Sequence, residues 1–305
     1  MTKNFKVLLF YHYKKINDVV YIHEKHKEFF DGLDIKGRII IAKEGINGTI
    51  SGSVLDCDKY KHFLENLLEI NGLDYKDDEC SEHLFPKLSI KIKNEIIRIG
   101  VQCDTEIKHG THLKPNEWLK LIDDKNNIIL DMRSNYEHKL GKFKNAITFD
   151  MKSMYEFPEI FEKHEIFKKD NIKNKKILTY CTGGIKCEKA SNFLMNKGFN
   201  NVYQLEGGII RYSKEVGGKN FDGKCYVFDE RIGIEVNKVN PKVISKCYGC
   251  NIDCDIMVNC MNNLCNRHTS MCKDCYYNFD TCCSLKCSKS DKRRKEHVDY
   301  FGLSS

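Results

Sequence analysis

The stretch Tyr180-Cys181-Thr182-Gly183-Gly184-Ile185-Lys186-Cys187-Glu188-Lys189-Ala190 places a thiol, two consecutive glycines and a lysine where an apolar run gives way to a helical pattern. Two glycines let the backbone curl until several N–H groups converge on one sulfur. The N-terminus of the following helix adds about half a positive charge on the same side. Both effects favour thiolate over thiol, so Cys181 is predicted to be a nucleophile at neutral pH. Lys186, at the far end of the loop, adds a positive charge. Cys187 is either a resolving thiol or a first-turn helix residue facing the core. The alternative for Cys181 is a buried strand-end cysteine beside a structural turn; its place after a sheet strand and the glycine pair favour the reactive thiol.

A second chemistry lies at the other end. Of sixteen cysteines, ten fall between Cys247 and Cys287. Their spacing is Cys247-x2-Cys250, Cys260-x4-Cys265, Cys272-x2-Cys275 and Cys283-x3-Cys287, with Cys254 and Cys282 left over. Short pairs of this kind each supply two thiolates to a tetrahedral ion. The interleaved order suggests a cross-brace: Cys247, Cys250, Cys272 and Cys275 on one ion, Cys260, Cys265, Cys283 and Cys287 on the other. A nested pairing is open too, as is His268 replacing one ligand. Two structural zinc ions are expected, with an iron–sulfur cluster as the rival. A floppy tail of reduced thiols would invite oxidation with no structural return.

These residues need scaffolds, and the 305 residues allow two or three domains. Hydrophobic residues at 41% and charged residues at 30% exclude wholesale disorder. No apolar run approaches the roughly 18 residues of a membrane helix, and no secretory signal is visible, so a soluble, cytosolic protein is expected. Fifty Lys plus Arg against 43 Asp plus Glu leave a net charge of +7, which suits a polyanion partner only if a motif supports it. Residues 5–100 alternate as β-α-β-β-α-β, the split βαβ or ferredoxin-like arrangement. Its strands are expected at Phe5 to Tyr11, Arg38 to Ala42, Thr49 to Ser51 and Leu88 to Ile99, with Gly45-Ile46-Asn47-Gly48 as a turn. From Lys114, short apolar runs at 128–130, 147–149, 177–180 and 202–205 alternate with helical sequence, which predicts a mostly parallel α/β sheet. Ligands of such sheets bind beyond the carboxyl ends of strands, which points to the loop after Tyr180. The expected domains are therefore 1–105, 110–222 and a cysteine-rich, metal-stabilised module at 223–305.

The loop Cys181–Ala190, preceded by Leu130-Asp131-Met132-Arg133, Tyr136-Glu137 and Gly141-Lys142-Phe143, resembles a rhodanese domain. Together with Ala42-Lys43-Glu44-Gly45-Ile46-Asn47-Gly48-Thr49 and Gly223-Lys224-Cys225-Tyr226-Val227-Phe228-Asp229-Glu230-Arg231, it resembles the bacterial rhodanese-type tRNA uridine hydroxylases over essentially the whole chain. The resemblance implies oxygen-dependent 5-hydroxylation of the wobble uridine of tRNA, with dioxygen as co-substrate, no nucleotide cofactor and Cys181 as the active-site cysteine. It implies scaffold roles for Asp131, Arg133 and Glu137. RNA contacts are expected from Arg38, Lys43 and Asn47. Docking of tRNA on the cysteine-rich module is expected to use Lys289, Lys292, Arg293, Arg294 and Lys295. One departure is Lys186, where the family usually has Arg; charge is retained and bidentate anion binding lost. The rival functions are a sulfurtransferase carrying a persulfide on Cys181 and a non-catalytic, zinc-stabilised RNA-binding protein. A bare sulfurtransferase needs neither flanking domain, which favours the hydroxylase.

Overall fold

A computed structural model describes residues 5–103, 108–169, 171–294 and 300–301. Lys295 lies outside them. The first unit runs β1 (Phe5–Tyr13), α1 (Val19–Phe30), β2 (Ile35–Ala42), β3 (Gly45–Ser53), α2 (Val54–Leu68), β4 (Lys76–Cys80) and β5 (Leu88–Ile92). Asp18 and Ser53 cap the two helices by accepting from the N–H groups of Tyr21 and Asp56. Each helix buries one stripe, Ile22, His26 and Phe30 in α1 and Cys57, Tyr60, Leu64 and Leu68 in α2. Both stripes cover one face of a sheet ordered β4-β1-β3-β2-β5, where Leu8, Phe10, Ile39, Ile41, Ile46 and Ile50 meet them. This is the expected ferredoxin-like arrangement with one extra strand, β5, running parallel to β2.

Two details differ from expectation. Gly45-Ile46-Asn47-Gly48 is not the turn; it is the first half of β3, paired with β1 and β2, and the chain reverses at Lys43-Glu44. The fourth strand of the motif is β4, whose Lys76-Asp77-Asp78-Glu79-Cys80 carries no strand-like alternation. An edge strand pairs on one side only, and charged side chains there guard against further pairing.

The central unit contains β6 (Thr111–Leu113), α3 (Pro115–Leu121), β7 (Ile128–Asp131), α4 (Asn135–Leu140), β8 (Gly141–Phe143), β9 (Ile147–Thr148), α5 (Phe157–Lys163), β10 (Ile177–Tyr180), α6 (Ile185–Asn196), β11 (Val202–Leu205) and α7 (Gly208–Val216). Its sheet, ordered β6-β11-β10-β7-β9, is parallel throughout, as expected. Alternate side chains feed two cores. Ile128, Leu130 and Ile177 face Phe157, Phe193 and Leu194, whereas Ile129, Leu178 and Tyr180 face Trp118, Ile209 and Tyr212. Burial on both faces explains why these strands are continuous apolar runs.

The expected boundary at 222/223 falls inside β12 (Phe221–Tyr226), which pairs antiparallel with β8 and with β13 (Gly233–Glu235). Phe221, Cys225 and Val236 pack into the central core. Beyond them lie a hairpin, β14 (Met257–Asn259) and β15 (His268–Ser270), and two short helices, α8 (Lys273–Asn278) and α9 (Leu285–Ser288); among the described residues, the buried non-cysteine side chains of their cluster are Val258, Met261, Met271 and Tyr276. Among the described residues no helix is long and apolar enough to cross a membrane.

Candidate active site

Strand β10 ends at the middle of its sheet and delivers Cys181 to the loop that follows. Gly184 adopts φ +102°, caps α6 and donates its N–H to the Cys181 sulfur at 3.1 Å. The N–H of Lys186 points to the same sulfur, and the Cys187 thiol donates to it from the first turn of α6. Burial alone would push the Cys181 thiol up. The Cys187 hydrogen bond, the Lys186 charge and the two N–H groups outweigh it and hold the thiol lowered to about 7. Cys187 is driven the opposite way, first by burial, then by its hydrogen bond to Cys181 and by that neighbour's negative charge. Of the pair, Cys181 is therefore the thiol that ionises first.

Lys186 is not a free cation. Its Nζ lies 2.5 Å from Glu137 Oε2, and Glu137 also accepts from the Ser134 N–H at 2.9 Å, closing the capping box of α4. The expected scaffold pair is likewise internal. Arg133 donates from Nε and Nη2 to Asp131 at 2.9 and 2.6 Å and to the Gly141 carbonyl at 2.6 Å, while the Tyr180 hydroxyl donates to Asp131 at 2.5 Å. Both ion-paired side chains are fully buried. Arg133→Met would leave the Asp131 carboxylate unpaired in that core, and the expected loss of stability is about 3–5 kcal/mol. A urea titration followed by the fluorescence of Trp118, the single tryptophan, measures it.

Sequence reasoning missed the roof over the loop. Because β1 alternates, Leu8 and Phe10 enter the first unit's core while Leu9 and Tyr11 face the central unit. A Cβ on Gly183 would lie 2.6 Å from Leu9 Cδ2, and one on Gly184 would lie 2.7 Å from the Tyr11 hydroxyl. The glycine pair is thus needed for close approach of a second domain as well as for the turn. Tyr11 donates to Glu188 at 3.2 Å and Tyr13 to the Ile185 carbonyl at 3.3 Å. Lys189 pairs with Glu44 and Glu95 at 2.8 and 2.7 Å, and Arg231 pairs with Asp78 at 2.8 Å. Cys181 is 1% exposed beneath this roof. A small cavity of ≈ 40 Å³, lined by Leu9, Lys76, Thr182, Phe228 and Arg231 among others, adjoins the loop. A second pair, Gly207-Gly208, was a legible signal not taken up: the N–H groups of Ile209 and Ile210 hold the carbonyls of Cys181 and Thr182, and a Cβ on Gly208 would meet both carbonyl oxygens at 2.5–2.6 Å.

Behind the roof, buried Glu188 takes His112 Nε2 at 2.8 Å and Gln204 Nε2 at 2.8 Å. Burial opposes its ionisation, but these two partners outweigh it and keep the carboxyl below its ordinary range. His109 joins this group closely enough to share an ion with His112 and Glu188; the bonds among them form a positioning network for Tyr11 and α6.

The cysteine-rich module gathers its sulfurs into two groups, Cys247, Cys250, Cys272 and Cys275, and Cys260, Cys265, Cys283 and Cys287, each within 4.8 Å. Each group could hold a metal ion. Sulfur–sulfur separations of 3.6–3.7 Å match the edge of a tetrahedron with metal–sulfur bonds of about 2.3 Å, roughly 3.8 Å. The N–H groups of Cys272 and Cys283 donate to the sulfurs of Cys247 and Cys260. His268 stands outside both groups, its Nδ1 bonded to the Tyr226 hydroxyl at 2.9 Å, as do Cys254 and Cys282.

The expected RNA contacts are dispersed. Asn47 is tied to the Ile96 carbonyl at 3.4 Å, Lys43 is exposed at the β2–β3 turn, and Lys289 and Lys292 are exposed. Arg293 is ion-paired with Asp280. Arg38 is exposed on β2, and Arg294 is bonded to Asn259 at 3.2 Å; the charges of both lower the His268 pKa after burial does.

Comparison with known proteins agrees with this architecture. Residues 5–96 match the UPF0176 acylphosphatase like domain, residues 114–215 the Rhodanese-like domain and residues 222–288 the Rhodanase C-terminal model. A rhodanese-related protein from Thermoplasma volcanium aligns over 35% of this chain and 93% of its own at 24% identity, with a TM-score of 0.29. The tRNA uridine(34) hydroxylase of Cytophaga hutchinsonii is 45% identical over 96% of this chain and 92% of its own length. That of Bacillus velezensis is 39% identical over 97% and 93%. With this identity along nearly the full length of both chains, the chain belongs to the tRNA uridine(34) hydroxylase family.

Proposed function

We propose that this protein is an oxidoreductase that hydroxylates the wobble uridine of tRNA at carbon 5, with dioxygen as co-substrate and the Cys181 thiolate as the reactive group. The observation that carries this reading is the sulfur itself, kept anionic at the carboxyl edge of the sheet by the Gly184 and Lys186 N–H groups, the Cys187 thiol and the Lys186 charge. Glu137 fixes Lys186, and Thr182, Gly183, Gly184 and Ile185 shape the loop. Nucleoside mass spectrometry of tRNA incubated with the protein, with and without oxygen, tests it; 5-hydroxyuridine forming equally without oxygen, or not forming at all, would overturn it. A thiosulfate-fed persulfide carrier is the weaker reading, since such a site needs a cation for the incoming anion and Lys186 is spent on Glu137.

The two four-cysteine groups fit structural zinc: all-sulfur donors, tetrahedral spacing and no open position. One ion in each would cross-link a module too poor in apolar residues to hold itself. Reduced thiols in both regions suit the cytoplasm.

The thiolate requirement sets a pH dependence. Because Cys181 is depressed to about 7, the active form is nearly complete above pH 8 and falls about tenfold for each unit below 7. The expected profile of kcat/KM is a single ascending limb with its midpoint near 7. Cys187→Ala removes a hydrogen bond to the thiolate and should move that midpoint upward; an unmoved midpoint would show that Cys187 does not support the charge.

A further inference from the structure

A cleft of ≈ 1030 Å³ opens between α4 and the cysteine-rich module. Four of its lining residues are cations, Lys139 and Lys152 from the central unit and Lys246 and Arg267 from the module. Asp150 also lines it and accepts from Asn135 at 2.7 Å, and Lys246 is paired with Asp253. The Arg38 and Arg294 charges reach its His268 wall from other parts of the chain. The cleft therefore draws its lining cations from both the central unit and the module.

Aromatic rings interleave with these cations. Tyr248, half exposed, lies under the Arg267 guanidinium at 4.6 Å. Tyr136 packs on His268 at 5.6 Å and on Tyr226 at 5.0 Å, and Tyr226 packs on Phe228 at 5.3 Å. Phe228 is exposed on one side, has Lys186 Nζ 5.7 Å from its ring, and lines the small cavity beside Thr182. A line of rings thus runs from the cleft to the residue next to Cys181. Burial, reinforced by Arg294 and Arg38, holds the His268 imidazole below its ordinary range, so at neutral pH it presents an uncharged face.

Cations that follow a backbone and rings that accept any base are the two parts of a single-stranded nucleic-acid site. Resting on the hydroxylase reading above, we infer that this cleft holds the unpaired anticodon loop of tRNA: Tyr248, Tyr136 and His268 stack bases, and Lys139, Lys152 and Arg267 meet phosphates.

Fluorescence anisotropy of the full, metal-loaded chain with a labelled anticodon stem–loop RNA tests this. Tyr248→Ala is expected to raise Kd by roughly five- to a hundredfold, and Tyr248→Phe to restore it, because stacking needs only the ring. Lys139→Gln should flatten the log–log salt dependence by about 0.7, the share of one single-strand phosphate. Metal content and near-ultraviolet circular dichroism matching the unmodified protein exclude unfolding as the cause. Unchanged Kd in Tyr248→Ala and an unchanged salt slope in Lys139→Gln would overturn the site, as would equal affinity for a fully duplex RNA. If the variants bind normally while the unmodified protein forms 5-hydroxyuridine, the docking site falls and the activity stands. If the variants bind weakly while the unmodified protein forms none, the site stands and the activity falls.

Discussion

Cys181→Ser should lower the rate of 5-hydroxyuridine formation by roughly a thousandfold or more, with little change in thermal stability. A serine hydroxyl fits the same space and still accepts the Gly184 N–H, so the loop keeps its shape. Its proton, however, is held far too tightly for N–H groups and one ammonium to remove it at neutral pH, whereas the thiol is already brought to about 7. Single-turnover assays on tRNA separate this chemical loss from any loss of binding. Activity within tenfold of the unmodified protein would mean that the sulfur is not the reactive atom, and the catalytic reading would fail with it.

On the zinc reading proposed above, stripping metal from the cysteine-rich module should unfold that module and leave the central unit standing. Structural zinc contributes an apparent 10–16 kcal/mol or so in small domains, and Val258, Met261, Met271 and Tyr276 make too small a core to replace it. Chelation is expected to abolish the near-ultraviolet signal of Tyr276 while Trp118 fluorescence, which reports on the central core, stays native. Cys250→Ser should cost metal and Cys254→Ser should not, because Cys254 stands outside both sulfur groups. Full metal content in Cys250→Ser would refute the ligand assignment.

The chemistry-bearing residues were more legible than the surfaces that join them. Periodicity located the helices of the first unit and the apolar strands of the parallel sheet, since burial on one or both faces writes itself into the order of side chains. It failed at Lys76–Cys80, where an edge strand needs backbone partners on one side only and a run of four charged residues shows no alternation. Asn47-Gly48 was misread for a related reason: the dipeptide favours a tight turn, but a strand at the middle of a sheet tolerates small residues where an aromatic crosses them, and Phe10 lies 2.4 Å from where a Gly48 Cβ would be. Short-range spacing exposed both the cysteine loop and the sulfur quartets. The roof of Leu9 and Tyr11 and the Phe228 line depend on how whole domains meet, and residues more than a hundred positions apart leave no local pattern in one sequence.

That covering has a consequence for how the sulfur survives. A thiolate that reacts with oxygen species in free solution would be spent between encounters with RNA, yet here the first domain seals it with a hydrocarbon side chain, a phenol and a ring of ion pairs. Burial of the sulfur beneath Leu9 and Tyr11 therefore shields it from peroxide and stray electrophiles.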